Sequence, residues 1–369
     1  MSDMESASVK KVREPLFHLA KRSNFPSVYA WLIRAGAVLL GLVLSALLAF
    51  AMLGANPIDF FKYMTDGCFG TERRIWILFK DSALLLGFSV AIVPAFKMKY
   101  WNLGADGQVL MGCLATTACM FYLNGKVPLG ALIPIMLVAS ILVSVIWAVI
   151  PAIFKAIWKT NETLFTLMMN YIAQGLVTYF VSVWVKTGSG TLNPINSAMV
   201  PQIYNAYLLP ILLVVLMTAF MYIYMRFGKH GYEISVVGGS ENTARYIGIN
   251  VKKVVIRTLV LTGIICGIMG FILSGCINGT VNKDMTASRG FTAVMVAWLG
   301  QFNPLIMVIY AVFIVAIKRG VTQVNTKFGL STDAFSSIIT GLIFFLLIAC
   351  EFIITYVIKR NKKNKGGIK

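Results

Sequence analysis

Charged residues are scarce in this chain, where they make up only 13% of 369 residues. A soluble domain carries about 25% charged residues. Hydrophobic residues reach 58%, and several uncharged runs approach the ~20 residues that a helix needs to cross the hydrocarbon core. These runs lack the alternation of apolar and polar residues that is typical of membrane strands. The sequence therefore predicts an all-α protein with many membrane helices.

Residues that carry site chemistry are equally few. The chain has two histidines, His18 and His230, and contains no Walker A, HExxH or GxSxG motif. Its six cysteines form no CxxC pair and lie mostly in apolar runs, which favours a packing role over a metal site or disulfides. Without polar groups that could converge on a catalytic centre, we expect no enzyme, no metal and no other cofactor.

The positive charge has a position that indicates membrane topology. Lysine and arginine exceed acidic residues by 33 to 14. They concentrate near both ends and in the loop 226–253, as the positive-inside bias of a multi-pass protein requires, rather than in a nucleic-acid-binding pattern. The first 30 residues also lack the apolar core of a signal peptide. We predict a basic cytosolic arm over 1–33, a transmembrane domain over 34–358 and a basic cytosolic tail over 359–369.

Ten membrane segments are predicted, two of them short. They cover residues 35–53, 82–96, 107–123, 128–154, 163–185, 206–225, 254–273, 290–299, 305–317 and 334–357. The region 290–317 could instead be one long span, which would give nine. Pro304 disfavours helix at the preceding residue, and an even count keeps both basic termini inside. Ten is therefore preferred, although Lys318 and Arg319 then lie outside.

The ten-segment arrangement suggests an inverted repeat. Segments two to five and seven to ten run in opposite orientations, although the halves share no clear sequence identity. The third and eighth segments then correspond, and both are short and flanked by glycine. Paired, interrupted segments of this kind are the best indication in a sequence of a transport site near the middle of the membrane.

Four stretches resemble the permeases of nucleoside and simple-sugar ABC importers. They are NLGADGQVLMG at 102–112, NETLFTLMMNYIA at 161–173, VVGGSENTARYIGINVKKV at 236–254 and RGFTAVMVAWLGQFNPL at 289–305. Their order and spacing agree with the family over residues 35–357. Asp106 stands where the family usually has Glu, and Gly239 and Ser240 replace Asn-Pro.

The resemblance implies a role and a set of partners. Such a permease pairs with a second permease, often a different chain, in the bacterial plasma membrane. Two ABC ATPases dock from the cytosol, and an external binding protein, often a lipoprotein, delivers the solute. Nucleosides are the first expected cargo and ribose-like sugars the next. The exact solute, and whether two copies of this chain pair, stay open at this stage.

Several polar or glycine-flanked positions are candidates to line a translocation path. They are Asn102, Asp106, Gln108, Asn170, Gln174, Phe291 and Thr292. Helix capping by Asn102 and a favourable dipole contact by Asp106 account for two of them without any path. Gln108 enters the apolar run and is not explained in this way. Asn170 and Gln174 lie one turn apart, where they face either a neighbouring helix or a water-filled path, and interhelical hydrogen bonding is slightly favoured.

The loop 226–253 is the candidate docking surface for the ATPases. Ser240 is a good N-cap and Gly248 a good stop, so a short cytosolic helix is predicted between them. An i,i+4 pair of Glu241 with Arg245 would add about 0.3 kcal/mol. A solvated surface helix that only contacts lipid is the alternative. The candidate coupling residues are Ser240, Glu241, Asn242, Arg245, Tyr246 and Gly248.

Two other assignments compete at this stage. A stand-alone secondary transporter driven by an ion gradient would usually carry acidic residues within its spans. Only Asp81 and Asp106 come close, and both are expected near span ends. A membrane-embedded enzyme is disfavoured by the missing site chemistry. Asn161, Glu162 and Thr163, at the start of the fifth segment, suit helix capping and a functional role equally well.

Overall fold

The computed structural model describes residues 17–22, 26–54, 56–185, 190–329 and 334–360. Residues 1–16 of the predicted arm and residues 361–369 of the predicted tail lie outside these ranges. The chain divides into two compact units, one made of 1–64 with 321–369 and the other of 65–320. The candidate path and coupling residues all belong to the second unit.

Nearly all of the described chain is helical, with one short antiparallel strand pair. The α-helices are α1 (Ser27–Leu53), α2 (Pro57–Phe69), α3 (Glu72–Lys97), α4 (Ala105–Leu123), α5 (Leu129–Trp158), α6 (Glu162–Trp184), α7 (Leu208–Phe227), α8 (Lys229–Gly239), α9 (Glu241–Tyr246), α10 (Val251–Phe271), α11 (Arg289–Leu299), α12 (Pro304–Lys327) and α13 (Ala334–Thr355). A π-helical segment, Ile272–Asn278, continues α10. The strands β1 (Phe17–Lys21) and β2 (Tyr356–Arg360) pair with Phe17 opposite Arg360.

Each of the ten predicted segments coincides with a helix. Within the described ranges, eight helices are long and apolar enough to cross a membrane: α1, α3, α5, α6, α7, α10 with its π segment, α12 and α13. The shorter pair, α4 and the 11-residue α11, completes the ten. The chain is therefore a multi-pass membrane protein. Its orientation and the inverted repeat stay predictions.

The break between α11 and α12 lies at the predicted position. Gln301 and Phe302 both have left-handed backbone conformations, with φ of 51° and 58°. The side chain of Asn303 then accepts a hydrogen bond from the backbone N–H of Leu305 at 3.1 Å. Pro304 begins α12, where its missing N–H costs no helical hydrogen bond. One continuous helix over 290–317 is excluded by this turn.

Several predicted helix boundaries were wrong because charged residues were taken as ends. α1, for example, begins at Ser27 and includes Arg34. α3 begins at Glu72, not near 82, so Asp81 lies well inside a helix. α12 continues to Lys327, not 317, and therefore includes Arg319. These two residues form an ion pair, and Lys80 lies 3.4 Å from the same carboxylate. Opposite charges that pair with each other can remain inside apolar helices, and a count of apolar residues cannot detect that pairing.

Small residues set how closely the helices of the second unit pack. A Cβ atom on Gly267 of α10 would lie 2.6 Å from the Cα of Ile141 in α5. One on Gly270 would lie 2.8 Å from the backbone of Gly112 in α4. Ser140 donates to the carbonyls of Gly112 and Gly267 at 3.0 and 2.7 Å. Backbone contacts of this kind are typical of membrane helix interfaces, and they fix the position of α4 in the unit.

The first unit is built around α1 and α13. Arg34 of α1 and Glu351 of α13 form an ion pair, with 2.5 Å between Nε and Oε1. Gly41 lets α1 approach Ile343, because a Cβ there would lie 3.2 Å from the Ile343 side chain. Both charges are largely buried, so the pair holds the two helices together more firmly than a surface pair would.

Candidate functional site

The connection between α3 and α4 is folded around the side chain of Asn102. Its Oδ1 accepts hydrogen bonds from the backbone N–H of Gly104 at 3.0 Å and from Nε2 of Gln108 at 3.4 Å. Both side chains are buried, with 0% and 1% exposure. Asn102 was predicted to cap α4, but its side chain bonds the backbone just before the helix instead. It holds the turn at Gly104, the residue before α4, and does not bond the N–H groups of the helix itself.

α6 supplies hydrogen bonds to the non-helical backbone in front of α4. Asn170 donates from Nδ2 to the carbonyl of Leu103, and its Oδ1 accepts from the N–H of Gly107, both at 2.8 Å. Thr166 accepts from the N–H of Leu103 at 3.2 Å. Asn170 thus makes the interhelical hydrogen bonds that were slightly favoured. Gln174 lies one turn further along α6 and is half-buried.

Asp106 connects the first turns of the two short helices α4 and α11. Its Oδ1 accepts from the backbone N–H of Gly290 at 2.9 Å, and Thr286 also hydrogen-bonds the carboxylate. A Cβ atom on Gly290 would lie 2.7 Å from Oδ2. One carboxylate therefore complements the positive ends of both helices. We call this contact, made by Asp106, Thr286 and Gly290, the α4–α11 junction.

The junction brings together two of the stretches that the sequence analysis singled out. The structure places NLGADGQ and RGFTAV in direct contact at Asp106 and Gly290. Phe291 and Thr292 follow Gly290 on α11, where Phe291 is 45% exposed and Thr292 is half-buried.

Charged residues near the junction were missed by sequence reasoning. Arg289 begins α11 and interacts electrostatically with both Asp81 and Asp106. Asp81 was expected near the end of a span, but it lies inside α3 and pairs with Arg319 and Lys80. The sequence does contain an indication of this pairing. Positions 80, 289 and 319 are basic, position 81 is acidic, and all four lie in or beside apolar runs. Both carboxylates are engaged by other groups of the protein.

Two buried polar atoms at the start of α4 lack a hydrogen-bond partner within the described part of the chain. They are Nδ2 of Asn102 and Oε1 of Gln108, a donor and an acceptor from side chains that already contact each other. An unsatisfied buried polar group costs about 1–3 kcal/mol. A single hydroxyl group or water molecule could satisfy both atoms, because it accepts one hydrogen bond and donates another.

The predicted short helix in the loop 226–253 is present as α9. Ser240 accepts from the N–H of Thr243 at 3.3 Å, which confirms the N-cap, and Gly248 has a φ of 83° just after the helix. Glu241 and Arg245 form the expected i,i+4 pair at 3.4 Å. Asn242 is exposed, as are the other polar residues of the helix. Tyr246 is 92% exposed, so α9 presents an aromatic side chain that nothing in the described chain covers.

A second helix of this loop, α8, was not separated by sequence reasoning. His230 anchors it to α7 and α10, because Nδ1 lies 2.8 Å from the Tyr224 hydroxyl and Nε2 lies 3.4 Å from Oγ1 of Thr258. Burial lowers the pKa of His230, and the nearby Arg257 guanidinium lowers it further. The imidazole is therefore neutral at neutral pH. The signal available in the sequence was the Gly228–Lys229 step, which ends α7 and starts α8.

The start of α6 shows capping and an ion pair together. Asn161 accepts from the backbone N–H of Leu164 at 3.1 Å, which confirms the capping alternative for that residue. Glu162 pairs with Lys155 of α5 at 2.7 Å and so closes the turn between the two helices. Thr163 is half-buried in the first turn.

Comparison with known proteins gives one family and several relatives of similar length. The family model described as the permease component of branched-chain amino acid transport systems matches residues 78–348. A glucose ABC transporter permease protein of Haloferax volcanii is 26% identical over 89% of this chain and 91% of its own. A guanosine ABC transporter permease protein of Bacillus subtilis is 25% identical over 90% of this chain and 96% of its own. A nucleoside ABC transporter permease protein of Lactococcus lactis is also 25% identical, over 90% of this chain and 94% of its own.

Proposed function

Because the chain belongs to the family of permease components of branched-chain amino acid transport systems, we propose that it is the transmembrane permease of an ABC importer for nucleosides or ribose-like sugars. Relatives named for guanosine, nucleosides and glucose support this cargo class, since all of these solutes carry ring hydroxyl groups. The family consists of transport permeases, and we propose that this chain has no catalytic activity of its own. ATP is hydrolysed by its partners.

The observation that carries the proposal is the exposed helix α9 between α8 and α10. Its cap, its internal ion pair and its exposed Tyr246 form a small rigid surface. Such a surface suits docking of a cytosolic ABC ATPase, with Arg245 and Tyr246 at the interface. Ser240, Glu241, Asn242 and Gly248 shape the helix. The further proposed partners are a second permease subunit and an external substrate-binding protein.

The experiment for docking is the charge reversal Arg245→Glu in the assembled complex. Loss of the Glu241 pair costs an exposed helix only about 0.3–0.5 kcal/mol, so the permease should still insert. Stimulation of ATP hydrolysis by the loaded binding protein should fall to the basal rate. Lys253→Gln, which removes an exposed charge near α9 without altering the helix, is the matched control. Wild-type stimulation in Arg245→Glu would refute docking through α9.

We propose further that the α4–α11 junction lies on the translocation path. The path residues are Asn102, Asp106, Gln108, Asn170, Gln174, Phe291 and Thr292. The unpartnered Asn102 Nδ2 and Gln108 Oε1 support this, because together they can bind one hydroxyl of a neutral solute. Asp106 and Asn170 act first as structural residues, since their polar atoms are already bonded. The contacts with solute must be weak for rapid release, and the binding protein supplies the affinity.

The path is tested by cysteine substitution at Gln108 after the six native cysteines are removed. Gln108 is buried in the present conformation, so a water-soluble thiol reagent should label the new cysteine only when ATP turnover opens the path. The apo, ATP-bound and vanadate-trapped complexes are compared. Absence of labelling in all three, together with normal transport by Gln108→Ala, would reduce this stretch to a structural turn.

The proposed location is the bacterial plasma membrane with both termini in the cytosol. Basic residues near both ends support this orientation by the positive-inside bias. The alternative, an ion-driven transporter that works without an ATPase, is disfavoured because the carboxylates of Asp81 and Asp106 are engaged by Arg319 and Gly290.

A further inference from the structure

A cleft with a volume of about 200 Å³ opens beside the first residues of α9. Four parts of the chain form it: the residues that follow α3, the facing ends of α5 and α6, the α8–α9 connection, and Val255 of α10. Its polar lining consists of Lys99, Tyr100, Lys155, Glu162, Ser240 and Glu241. The space is sufficient for a partner's side chain with several water molecules. Neither the family match nor the path accounts for such a cleft.

The charges around this cleft are paired except for one. Lys155 pairs with Glu162 at 2.7 Å, and Glu241 pairs with Arg245 at 3.4 Å. Lys99 is exposed and makes no ion pair with any residue that the structure describes. The lining contains two lysines and two carboxylates, so its charges balance, but the Lys99 ammonium alone has no ion-pair partner in the described chain. This flexible group can therefore bind a further carboxylate.

The backbone that carries this lysine is fixed in an unusual conformation. Lys99 has a φ of 61°, in the left-handed region that non-glycine residues seldom adopt. Hydrogen bonds from the N–H groups of Lys99 and Tyr100 to α3 hold it there, both at 2.9 Å. Gly238 of α8 packs directly against the carbonyl of Lys97, where a methyl group would clash. This pattern of hydrogen bonds is a common way for a helix to end, so the end of α3 fixes the position of Lys99.

Tyr100 adds a second group without a partner. It is 3% exposed, and its hydroxyl makes no hydrogen bond within the described chain. Burial raises the pKa of Tyr100 well above its ordinary value, and the negative charge of Glu162 raises it further. The group is therefore a neutral hydroxyl with a proton to donate. A carboxylate that entered the cleft could accept this proton in a hydrogen bond while it paired with Lys99.

We propose that this cleft receives a carboxylate side chain from the cytosolic ATPase, held by the Lys99 ammonium and the Tyr100 hydroxyl. The inference rests on the proposed function, because the partner is the ATPase that docks on α9. Ser240 and Glu241 belong to both surfaces, so a protein that covers the exposed Tyr246 also reaches the cleft. The contact would add a second point of attachment, through which movement of the ATPase acts directly on the ends of α3 and α5.

The test uses the purified complex of the full chain with its ATPase and a zero-length carbodiimide reagent. The reagent joins an amine to a carboxylate only when the two are in ion-pair contact. Mass spectrometry should find Lys99 linked to an aspartate or glutamate of the ATPase. Lys99→Gln should remove this product and weaken ATPase association about tenfold, and Tyr100→Phe should weaken it by a similar factor. Lys253→Gln and Tyr232→Phe, which change exposed groups outside the cleft, should stay within about twofold of wild type.

Three results would overturn the inference. The first is a Lys99 product that links only to this chain. The second is the absence of any Lys99 product while both cleft variants bind the ATPase as wild type does. The third is competition by free phosphate or acetate for Lys99 without any loss of ATPase binding, which would indicate a small-anion site. If Arg245→Glu abolishes coupling while the Lys99 experiment fails, only the cleft contact is refuted. If the chain binds no ATPase at all, the proposed function itself fails.

Discussion

At the scale of single residues, the junction between α4 and α11 depends on one carboxylate and one missing side chain. Asp106 accepts a hydrogen bond from the backbone N–H of Gly290 at 2.9 Å, and a Cβ atom on that glycine would lie 2.7 Å from the carboxylate. A hydrogen bond to a charged group is worth about 1.5–3 kcal/mol. Glycine is needed at 290 because the backbone must approach the acid, and not because its φ is unusual.

Gly290→Ala should separate Asp106 from the first turn of α11. The methyl group has to displace a buried carboxylate, so the free energy of unfolding should fall by about 1–3 kcal/mol. Transport activity should fall with it. Thermal unfolding in detergent and uptake by vesicles measure the two effects. Gly175→Ala in α6 is the matched control, because its Cβ would have nothing within 4 Å. Equal stability of the two variants would contradict the contact.

Single residues also show what a sequence can and cannot predict. The N-cap at Ser240 and the Glu241–Arg245 pair were predicted, and capping by Asn161 was one of two alternatives, because each involves residues within a few positions of one another. The partners of Asp81 and Asp106 were not, because Arg319 and Gly290 lie far along the chain. A local pattern carries no information about which distant segment packs against it.

At the scale of elements, the existence of the helices was predictable and their ends were not. All ten apolar segments are helices, since long uncharged runs in a membrane leave no other structure. The π-helical continuation of α10 was not expected. Its Ser274 hydroxyl contacts Thr117 of α4 at 2.5 Å and the Thr280 carbonyl at 3.0 Å. Apolar composition is the same in α and π helices, so only these tertiary contacts distinguish them.

His230 makes the attachment of α8 sensitive to pH. Because burial and Arg257 lower its pKa in the folded protein, the unfolded chain binds a proton first as the pH falls. The stabilising contribution is complete above about pH 6.5, the unperturbed value of histidine. It is lost progressively below that pH, until the lowered folded pKa is reached.

The melting temperature of wild type should therefore fall more steeply than that of His230→Gln between about pH 7 and pH 5. Glutamine keeps a polar group near Tyr224 and Thr258 but does not titrate. The comparison is made in one buffer series at constant ionic strength. Parallel curves for the two proteins would show that His230 is not buried as a neutral imidazole.

At the scale of the whole molecule, topology follows from the number of crossings. The turn at Gln301 and Phe302 separates α11 from α12 and supports ten segments. Whether the eight long helices or all ten segments cross the membrane, the number is even, and the basic residues near both ends then lie on one side. A reporter that is active only in the cytosol should therefore be active when it is fused after Lys369, and a reporter that is active only outside the cell should be inactive there. An external reading would contradict this topology and favour nine crossings.

The central claim is that this chain forms the membrane path of an importer driven by ATP. The direct measurement is uptake of labelled nucleosides and pentoses by proteoliposomes that contain the permease pair, the ATPases and the external binding protein. The account predicts accumulation of a nucleoside that requires ATP and every subunit, and that persists when an ionophore abolishes ion gradients. Accumulation by this chain without the ATPases, lost on addition of the ionophore, would contradict the account and establish a secondary transporter instead.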